Sequence, residues 1–327
     1  MIYRKLGSSH IDISVVGFGA WAIGGWMWGG ADEQEAVDAI QAAIDHGVNL
    51  IDTAPVYGFG RSEEIVAQAI HGRREKVVLA TKCGLIWDRE EGVFHYYANS
   101  LGVTANPSEK AVYKCLKPDS IAEEVDRSLK RLNTDYIDLY QTHWQDATTP
   151  IADTMEALLK LKEQGKIRTI GISNANLEQL KAYGPIDSDQ ERFSMLDRNI
   201  TTNGMLDYCH QKKIAVLAYS PLAKGLLIGK TQPDRQFKPG DQRLGNPSFN
   251  LENIERVNEK LKQLQPIASC HNASVAQAVI AWTFAQPGVT CVLCGARNPK
   301  QTIENAEAGR IKLSPDEVRT MDVLMQA

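Results

Sequence analysis

The chain has 327 residues, a formal net charge of −4 and 43% hydrophobic residues. This weakly acidic balance gives no basic field for nucleic acid or anionic lipid, and no apolar run reaches the roughly 18 residues that a membrane span needs. The first ten residues lack the apolar core of a secretion signal. We therefore expect a cytoplasmic protein, monomeric or a small homo-oligomer, without nucleic-acid or membrane partners.

Apolar and amphipathic runs alternate along the chain after a short predicted hairpin over residues 2–14. Eight strands are predicted, at residues 15–19, 49–52, 77–81, 136–142, 167–172, 193–196, 214–220 and 289–293. Helices are predicted at 32–46, 62–70, 119–132, 150–164, 176–182, 202–212, 251–286, 300–308 and 314–325. Such alternation is typical of parallel strands with right-handed crossovers. We predict one (β/α)₈ TIM-barrel domain over residues 1–327, with the hairpin at its N-terminus.

The main alternative is a doubly wound fold, because Gly17, Gly19 and Ala22 match its GxGxxA motif. In that fold a helix begins at the motif. Here, four further glycines within residues 24–30 come before the next periodic segment. We interpret the match as a coincidence.

Two long segments interrupt the alternation, at residues 84–117 and 222–250. Both follow the carboxyl ends of predicted strands, where the active site of a (β/α)₈ barrel lies. Loops of this length are usually functional or flexible. We expect both segments to overhang the barrel mouth.

The cysteines give no sign of a disulfide scaffold or a metal site. Cys291 and Cys294 have CxxC spacing, but they lie in an apolar run typical of a strand, in which residues three apart face opposite sides. No second CxxC exists and the histidines lack ligand spacing. We expect buried, reduced cysteines and no metal.

Four side chains of complementary chemistry follow three successive predicted strands. Asp52 ends the second strand, Tyr57 lies on the loop behind it, Lys82 follows the third strand and His143 follows the fourth. A tyrosine with its usual pKa of about 10 is a weak acid, and a neighbouring lysine held by a carboxylate would lower that pKa. Together they predict a site that protonates a carbonyl oxygen. Taken singly, Asp52 could be a strand-end cap, Lys82 could be half of a structural ion pair, and His143 could be a histidine with a structural partner.

A series of motifs extends this pattern over the whole chain. In order they are Gly17-Phe-Gly19, Asn49-Leu-Ile-Asp-Thr-Ala-Pro-Val-Tyr57, Ser62-Glu-Glu64, Val78-Leu-Ala-Thr-Lys82, Asp138-Leu-Tyr-Gln-Thr-His-Trp144, Ile170-Gly-Ile-Ser-Asn174, Ala218-Tyr-Ser-Pro-Leu-Ala-Lys-Gly225, and Gly295-Ala-Arg297 before Gln301 and Glu304-Asn305. The series resembles the aldo-keto reductases, NAD(P)H-dependent carbonyl reductases, and within them the bacterial branch that is also similar to potassium-channel β-subunits. The resemblance implies that Tyr57 donates the proton, that Lys82, paired with Asp52, tunes it, and that His143 orients the carbonyl.

The same resemblance implies a nicotinamide dinucleotide site. Ser173 and Asn174 match the carboxamide ligands, and Gln190 would complete them, although its polar surroundings leave coincidence open. Tyr219 matches the aromatic residue that stacks on the nicotinamide. The pyrophosphate segment is matched by Ser220, Leu222, Lys224 and Gly225, and the adenosine end by Gly295, Arg297, Gln301, Glu304 and Asn305.

The choice of coenzyme depends on the adenosine end. Gln301 stands where many members of the family carry an arginine, so Arg297 is the principal guanidinium for a 2′-phosphate, to which it could make forked, charge-assisted hydrogen bonds. Lys300 could assist or be a solvated helix charge. We expect NADP(H) to be preferred, with NAD(H) left open.

Aromatic residues near the predicted mouth are candidates for the substrate pocket. They are Trp21, Trp26, Trp28, Trp87 and Trp144, and packing of the barrel mouth is the alternative for them. The leading function is NADPH-dependent reduction of small aldehydes, with ketones as an extension. The alternatives are a nucleotide-binding regulatory subunit and a dehydrogenase acting on a polyol or an inositol-like substrate.

Overall fold

The computed structural model describes residues 1–232 and 234–326. Pro233, within the segment 222–250, and Ala327, the last residue of the predicted domain, lie outside the described residues.

Eight parallel strands close into a barrel. In chain order, the strands of the structure are β1 (Tyr3–Lys5), β2 (Asp12–Ser14), β3 (Val16–Gly19), β4 (Leu50–Asp52), β5 (Val78–Cys83), β6 (Leu85–Ile86), β7 (Val93–Ala98), β8 (Val103–Thr104), β9 (Lys110–Lys114), β10 (Ile137–Thr142), β11 (Ile167–Ser173), β12 (Ser188–Arg192), β13 (Ala215–Tyr219) and β14 (Val289–Gly295). The barrel runs β3-β4-β5-β10-β11-β12-β13-β14 and closes where β14 pairs with β3. The predicted (β/α)₈ barrel is confirmed, and β1 and β2 form the expected hairpin.

Helices connect successive barrel strands. They are α1 (Glu33–Asp45), α2 (Arg61–Ile70), α3 (Pro118–Leu132), α4 (Ile151–Glu163), α5 (Leu177–Tyr183), α6 (Asn199–Thr202), α7 (Met205–Lys212), α8 (Leu251–Lys262), α9 (Gln265–Cys270), α10 (Val275–Ala285), α11 (Pro299–Ala308) and α12 (Pro315–Gln326). Asp32 caps α1 by accepting the Glu35 amide, and no helix begins at the GxGxxA motif. Among the described residues, no helix has both the length and the apolar character needed to cross a bilayer.

The sixth barrel strand is the main correction to the predicted elements. It lies at Ser188–Arg192, whereas we predicted it at 193–196. The segment is polar, yet its first four residues are buried, because Gln190 faces the barrel mouth while Asp189 and Glu191 lie in a buried setting near Cys209. Burial on both faces removes the hydrophobic alternation by which a strand is recognised.

Two other segments are more divided than expected. The predicted helix 251–286 consists of α8, α9 and α10, with Pro266 in the first turn of α9. The segment 84–117 contains a four-stranded antiparallel sheet in the order β6-β9-β7-β8. We call this part of the chain, residues 85–114, the rim sheet.

The core has an inner and an outer layer. Leu50, Leu139, Leu217 and Cys291 pack inside the barrel, and a larger cluster between strands and helices includes Cys294. The two cysteines of the CxxC therefore lie on opposite faces of β14, as expected. Cys270 is exposed and the other five cysteines are buried.

Candidate active site

A cavity of about 580 Å³ opens at the carboxyl ends of the barrel strands. This is a typical size for a small-molecule or cofactor site. Asp52, Tyr57 and His143 line it, and so do all of the residues assigned above to a dinucleotide. These are Ser173, Asn174, Gln190, Tyr219, Ser220, Leu222, Lys224, Gly225, Gly295, Arg297, Gln301, Glu304 and Asn305. The structure thus brings the predicted site together, while the roles of its residues stay predictions.

Lys82 is fully buried behind Asp52. Its Nζ donates to Asp52 Oδ2 at 2.7 Å and to the Thr53 carbonyl oxygen at 2.8 Å, and the Tyr57 hydroxyl lies 3.5 Å away. Burial lowers the pKa of the Lys82 ammonium, and the charge and hydrogen bond of Asp52 oppose that shift. The pair fixes both groups beneath the tyrosine.

The other oxygen of Asp52 is also occupied. Oδ1 accepts from Gln190 Nε2 at 2.8 Å and from Gln141 Nε2 at 3.2 Å. The carboxylate therefore has polar partners on every side. Gln141 was missed from the sequence, although it lies two residues before His143 and so shares its strand face.

Tyr57 and His143 meet edge to face, with ring centroids 5.6 Å apart. Burial, followed by the charge of Asp52, raises the pKa of the Tyr57 phenol well above its usual value. This shift is opposite in direction to the one expected from Lys82. Burial, and then Lys82, lowers the pKa of the His143 imidazole well below its usual value. At neutral pH both rings are uncharged, so each can donate a hydrogen bond to an oxygen.

Asn174 connects the histidine to the predicted nicotinamide end. It has a left-handed backbone (φ 55°), which asparagine tolerates better than most residues. Its Nδ2 donates to the His143 carbonyl oxygen at 2.9 Å, and its Oδ1 accepts from the Tyr219 hydroxyl at 2.8 Å. Ser173 Oγ donates to the Gln190 carbonyl oxygen at 2.7 Å. These contacts hold adjacent strand ends in one arrangement.

A buried carboxyl pair lies near this end, on β12. Glu191 Oε1 accepts from the Ala175 amide at 2.9 Å, whereas the Asp189 carboxyl has no hydrogen-bond partner among the described residues other than the Glu191 carboxyl. Burial raises the pKa of Glu191 to about 7 and that of Asp189 well above its usual value. The loop that carries Asn174 is thus held in part by Glu191, which forms no ion pair within the described part of the chain.

The outer end of the cavity is cationic. The positively charged residues that line it are Lys224, Lys230, Arg235, Arg243 and Arg297. Arg243 makes a forked pair with Asp241, at 2.9 and 2.6 Å, and its guanidinium carbon lies 4.9 Å from the centroid of the Trp28 ring. Sequence reasoning missed Arg235 and Arg243, although it placed the segment 222–250 over the mouth.

Helix α11 begins at the same end. Asn298 caps it by accepting the Gln301 amide at 3.0 Å, and Gln301 Oε1 accepts the Arg297 amide at 3.0 Å. Arg297 Nη1 lies 3.5 Å from the Trp28 carbonyl oxygen. A helix N-terminus beside several cations favours an anion.

Four of the five predicted pocket tryptophans line the cavity: Trp21, Trp26, Trp28 and Trp144. Trp21 stacks on Tyr57, with centroids 6.0 Å apart. Trp87 is the correction, since it is not among the lining residues and its ring packs on Phe59, 5.3 Å away. The rim sheet instead contributes Leu85, His95, Tyr96 and Val103, which sequence reasoning did not single out.

The fold and the site have the architecture of a barrel-type oxidoreductase. The chain belongs to the aldo/keto reductase family, whose family model matches residues 15–326. The resemblance drawn from the motifs is confirmed.

Known relatives match over nearly their whole length. The chain is 40% identical to the NADH-specific methylglyoxal reductase of Escherichia coli K12, over 98% of each protein. It is 32% identical to a probable voltage-gated potassium channel subunit beta of Arabidopsis thaliana, over 94% of this chain and 91% of that protein. The expected similarity to channel β-subunits is therefore also confirmed.

Solved structures give the same result. A glycerol dehydrogenase from Gluconobacter oxydans matches with a TM-score of 0.85 and 36% identity, over 99% of this chain and 94% of that one. An aldo/keto reductase from Klebsiella pneumoniae in complex with NADP and acetate matches with a TM-score of 0.71 and 28% identity, over 98% of this chain and 94% of that one.

Proposed function

We propose that this oxidoreductase reduces small aldehydes to alcohols, with NADPH as the preferred coenzyme and NADH as a possible substitute. The observation that carries the proposal is the pairing of two uncharged donors, Tyr57 and His143, above the buried Lys82–Asp52 pair. A protonated phenol is the form needed to give a proton to a carbonyl oxygen.

Each residue then has a defined task. The nicotinamide coenzyme, when bound, would supply a hydride for the new C–H bond. The Tyr57 O–H bond would break and its proton would go to the carbonyl oxygen. Lys82 lies 3.5 Å from the phenol oxygen and stabilises the phenolate that remains. His143 donates a second hydrogen bond to the carbonyl oxygen and so fixes its position. Asp52 keeps the lysine in place.

The cationic outer end supports a phosphorylated coenzyme. Arg297 suits a 2′-phosphate because its guanidinium can donate two parallel hydrogen bonds. The Klebsiella relative is described as a complex with NADP, whereas the Escherichia coli relative is described as NADH-specific. We therefore propose a preference for NADPH and not strict dependence on it.

The test is the loss of reduced-nicotinamide absorbance with NADPH and NADH in separate reactions. Propanal, methylglyoxal and acetone are the carbonyl substrates, and glycerol and inositol with the oxidised coenzymes test the reverse direction. Turnover of an aldehyde, faster with NADPH, is expected. Tight coenzyme binding without turnover of any compound would refute the proposal and favour the regulatory alternative. Turnover of polyols alone would favour the dehydrogenase.

A further inference from the structure

Strand β7 of the rim sheet has a bulge beside the active site. Phe94 pairs with Tyr113 and Tyr96 with Val112, so two successive residues of β9 face three residues of β7 and His95 is the extra one. A regular strand turns neighbouring side chains to opposite faces, whereas a bulge re-aims one of them. His95 and Tyr96 consequently both line the cavity, with ring centroids 4.7 Å apart.

Both rings lie at the reacting end of the cavity. The His95 ring centroid is 5.2 Å from that of Trp144, which directly follows His143. Tyr96 and Tyr57 belong to one apolar cluster together with Trp144. The cations of the outer end are not part of this cluster.

The polar atoms of this pair have no partner in the described protein. Neither the Tyr96 hydroxyl nor the His95 ring nitrogens make a hydrogen bond there, and both side chains are half-buried. Burial and Lys114 lower the pKa of His95, and burial raises the pKa of Tyr96, so both are uncharged at neutral pH. Uncharged donors and acceptors of this kind suit a hydroxyl or carbonyl oxygen better than a carboxylate, which gains most from a cation.

The rest of the wall contributed by the rim sheet is apolar, since it consists of Leu85 and Val103. A site built to hydrogen-bond a substrate oxygen disfavours the analogue that lacks it, because the polar groups of the protein are then left unpaired. His95 and Tyr96 are therefore the groups of this wall that can distinguish an oxygenated substrate from an aliphatic one.

We propose that His95 and Tyr96 form a second recognition point, which binds an uncharged oxygen close to the reacting carbonyl. The enzyme then selects hydroxy- and oxo-substituted aldehydes and ketones over plain carbonyl compounds of the same length. This inference rests on the proposed function and specifies its substrate class.

The experiment compares two three-carbon aldehydes, glyceraldehyde and propanal, by their kcat/KM values with NADPH. Tyr96→Phe and His95→Phe keep an aromatic ring and remove the polar atoms. In each variant the glyceraldehyde-to-propanal ratio of kcat/KM should fall about 3- to 10-fold, the range for one uncharged hydrogen bond. His95→Gln, which keeps a donor and an acceptor, should retain more of the ratio than His95→Phe.

Tyr97→Phe is the matched control, because Tyr97 packs on Phe94 at 4.7 Å and does not line the cavity. Its ratio should equal that of the wild type. An unchanged ratio in both test variants, or an equal loss on both aldehydes, would overturn the inference. If one variant does not fold, as judged by circular dichroism, the other decides. Wild-type enzyme that reduces neither aldehyde would instead refute the proposed function.

Discussion

The two ends of the cavity differ in how their charges are satisfied. At the inner end, Lys82 and Asp52 neutralise each other, and Gln141 and Gln190 complete the carboxylate's hydrogen bonds. At the outer end, five cations line the wall. Arg243 pairs with Asp241 and Lys230 lies 3.6 Å from Glu304, so Lys224, Arg235 and Arg297 have no carboxylate partner among the described residues.

The pKa shifts reflect the same difference. Burial, then Arg192 and Arg243, lowers the pKa of Lys224, and burial, then Arg243 and Arg297, lowers that of Arg235. Like charges held together destabilise the free protein and favour an anionic ligand. The comparison indicates that the charges of the inner end are neutralised within the protein, whereas the outer end has cationic charge that suits the coenzyme phosphate we propose to bind there.

The largest expected effect is on the inner end. Tyr57→Phe removes the proposed proton donor without disturbing the Lys82–Asp52 pair, so kcat should fall about 10²- to 10⁴-fold, the usual contribution of general acid catalysis. Coenzyme affinity, measured by tryptophan fluorescence, should change little. Turnover close to wild type would mean that another group donates the proton.

Replacing Lys82 tests whether its positive charge offsets the negative charge of Asp52 at the inner end. Lys82→Met leaves Asp52 as a buried charge with amide partners alone, and breaking a buried pair in this way typically destabilises a protein by about 3–5 kcal/mol. Activity should be lost as well, because the phenolate then has no counter-charge. Urea unfolding measures the effect.

The control for this variant is the double replacement Lys82→Met with Asp52→Asn. It removes both charges and should recover part of the lost stability. If the double variant is as unstable as Lys82→Met alone, the effect comes from packing and the charge-balance explanation fails.

The affinity of the outer end for a coenzyme should depend on whether the coenzyme carries the charged 2′-phosphate. Arg297→Ala should raise the dissociation constant of NADPH about 10- to 150-fold, the value of a hydrogen bond to a charged group, and scarcely change that of NADH. Arg310→Ala, on an exposed arginine paired with Glu307, is the control. An equal loss for both coenzymes would mean that Arg297 contacts a part they share.

The smallest effect concerns the carboxyl pair of β12, which, unlike Asp52, has no cationic partner among the residues that the structure describes. Glu191 has a raised pKa of about 7 against the usual 4.5. The folded state therefore holds a proton that the unfolded state has released between these pH values, so stability falls as pH rises from about 4.5 to 7. Glu191→Gln keeps an acceptor for the Ala175 amide and removes this penalty.

The variant should exceed the wild type in unfolding free energy at pH 8, by roughly 1–3 kcal/mol given about 1.4 kcal/mol per pKa unit. The advantage should disappear at pH 4. Parallel pH dependence of both proteins in urea unfolding would show that folding does not raise the pKa of Glu191.

The sequence predicts the place of a residue well where the order of strands along the chain fixes it, and poorly where hydrogen bonds or burial in the folded protein fix it. Asp52, Lys82 and His143 follow apolar strands, and parallel strands place their carboxyl ends together, so their proximity follows from order along the chain. Strand β12 could not be located in this way, because its sequence is polar. Gln190 is buried with a hydrogen bond to Asp52, a contact that no apolar pattern in the sequence reveals.

The rim was less predictable. His95 and Tyr96 share a face because of the register between β7 and β9, and register depends on pairing that the local sequence does not contain. The position of Trp87 against Phe59 likewise depends on how β6 leaves the barrel. Raised pKa values, as for Tyr57, follow from burial, which is known only once the loops are in place.

The two ends of the rim sheet leave and rejoin the barrel chain side by side. The sheet also contacts the loop after β3, where the Met27 amide donates to the Leu101 carbonyl oxygen and Trp26 Nε1 donates to the Asn99 carbonyl oxygen, both at 2.9 Å. Its strands pair only with one another among the described residues. At its base the Cys115 amide donates to the Gly84 carbonyl oxygen at 3.2 Å, while Glu124 of α3 accepts the Gly84 amide at 3.0 and 3.1 Å. An insertion whose two ends already meet adds little loop-closure entropy when its length changes. Changes in the length or sequence of residues 85–114 can therefore alter this wall of the cavity without changing the barrel strands, as long as the contacts to Trp26 and Met27 are kept.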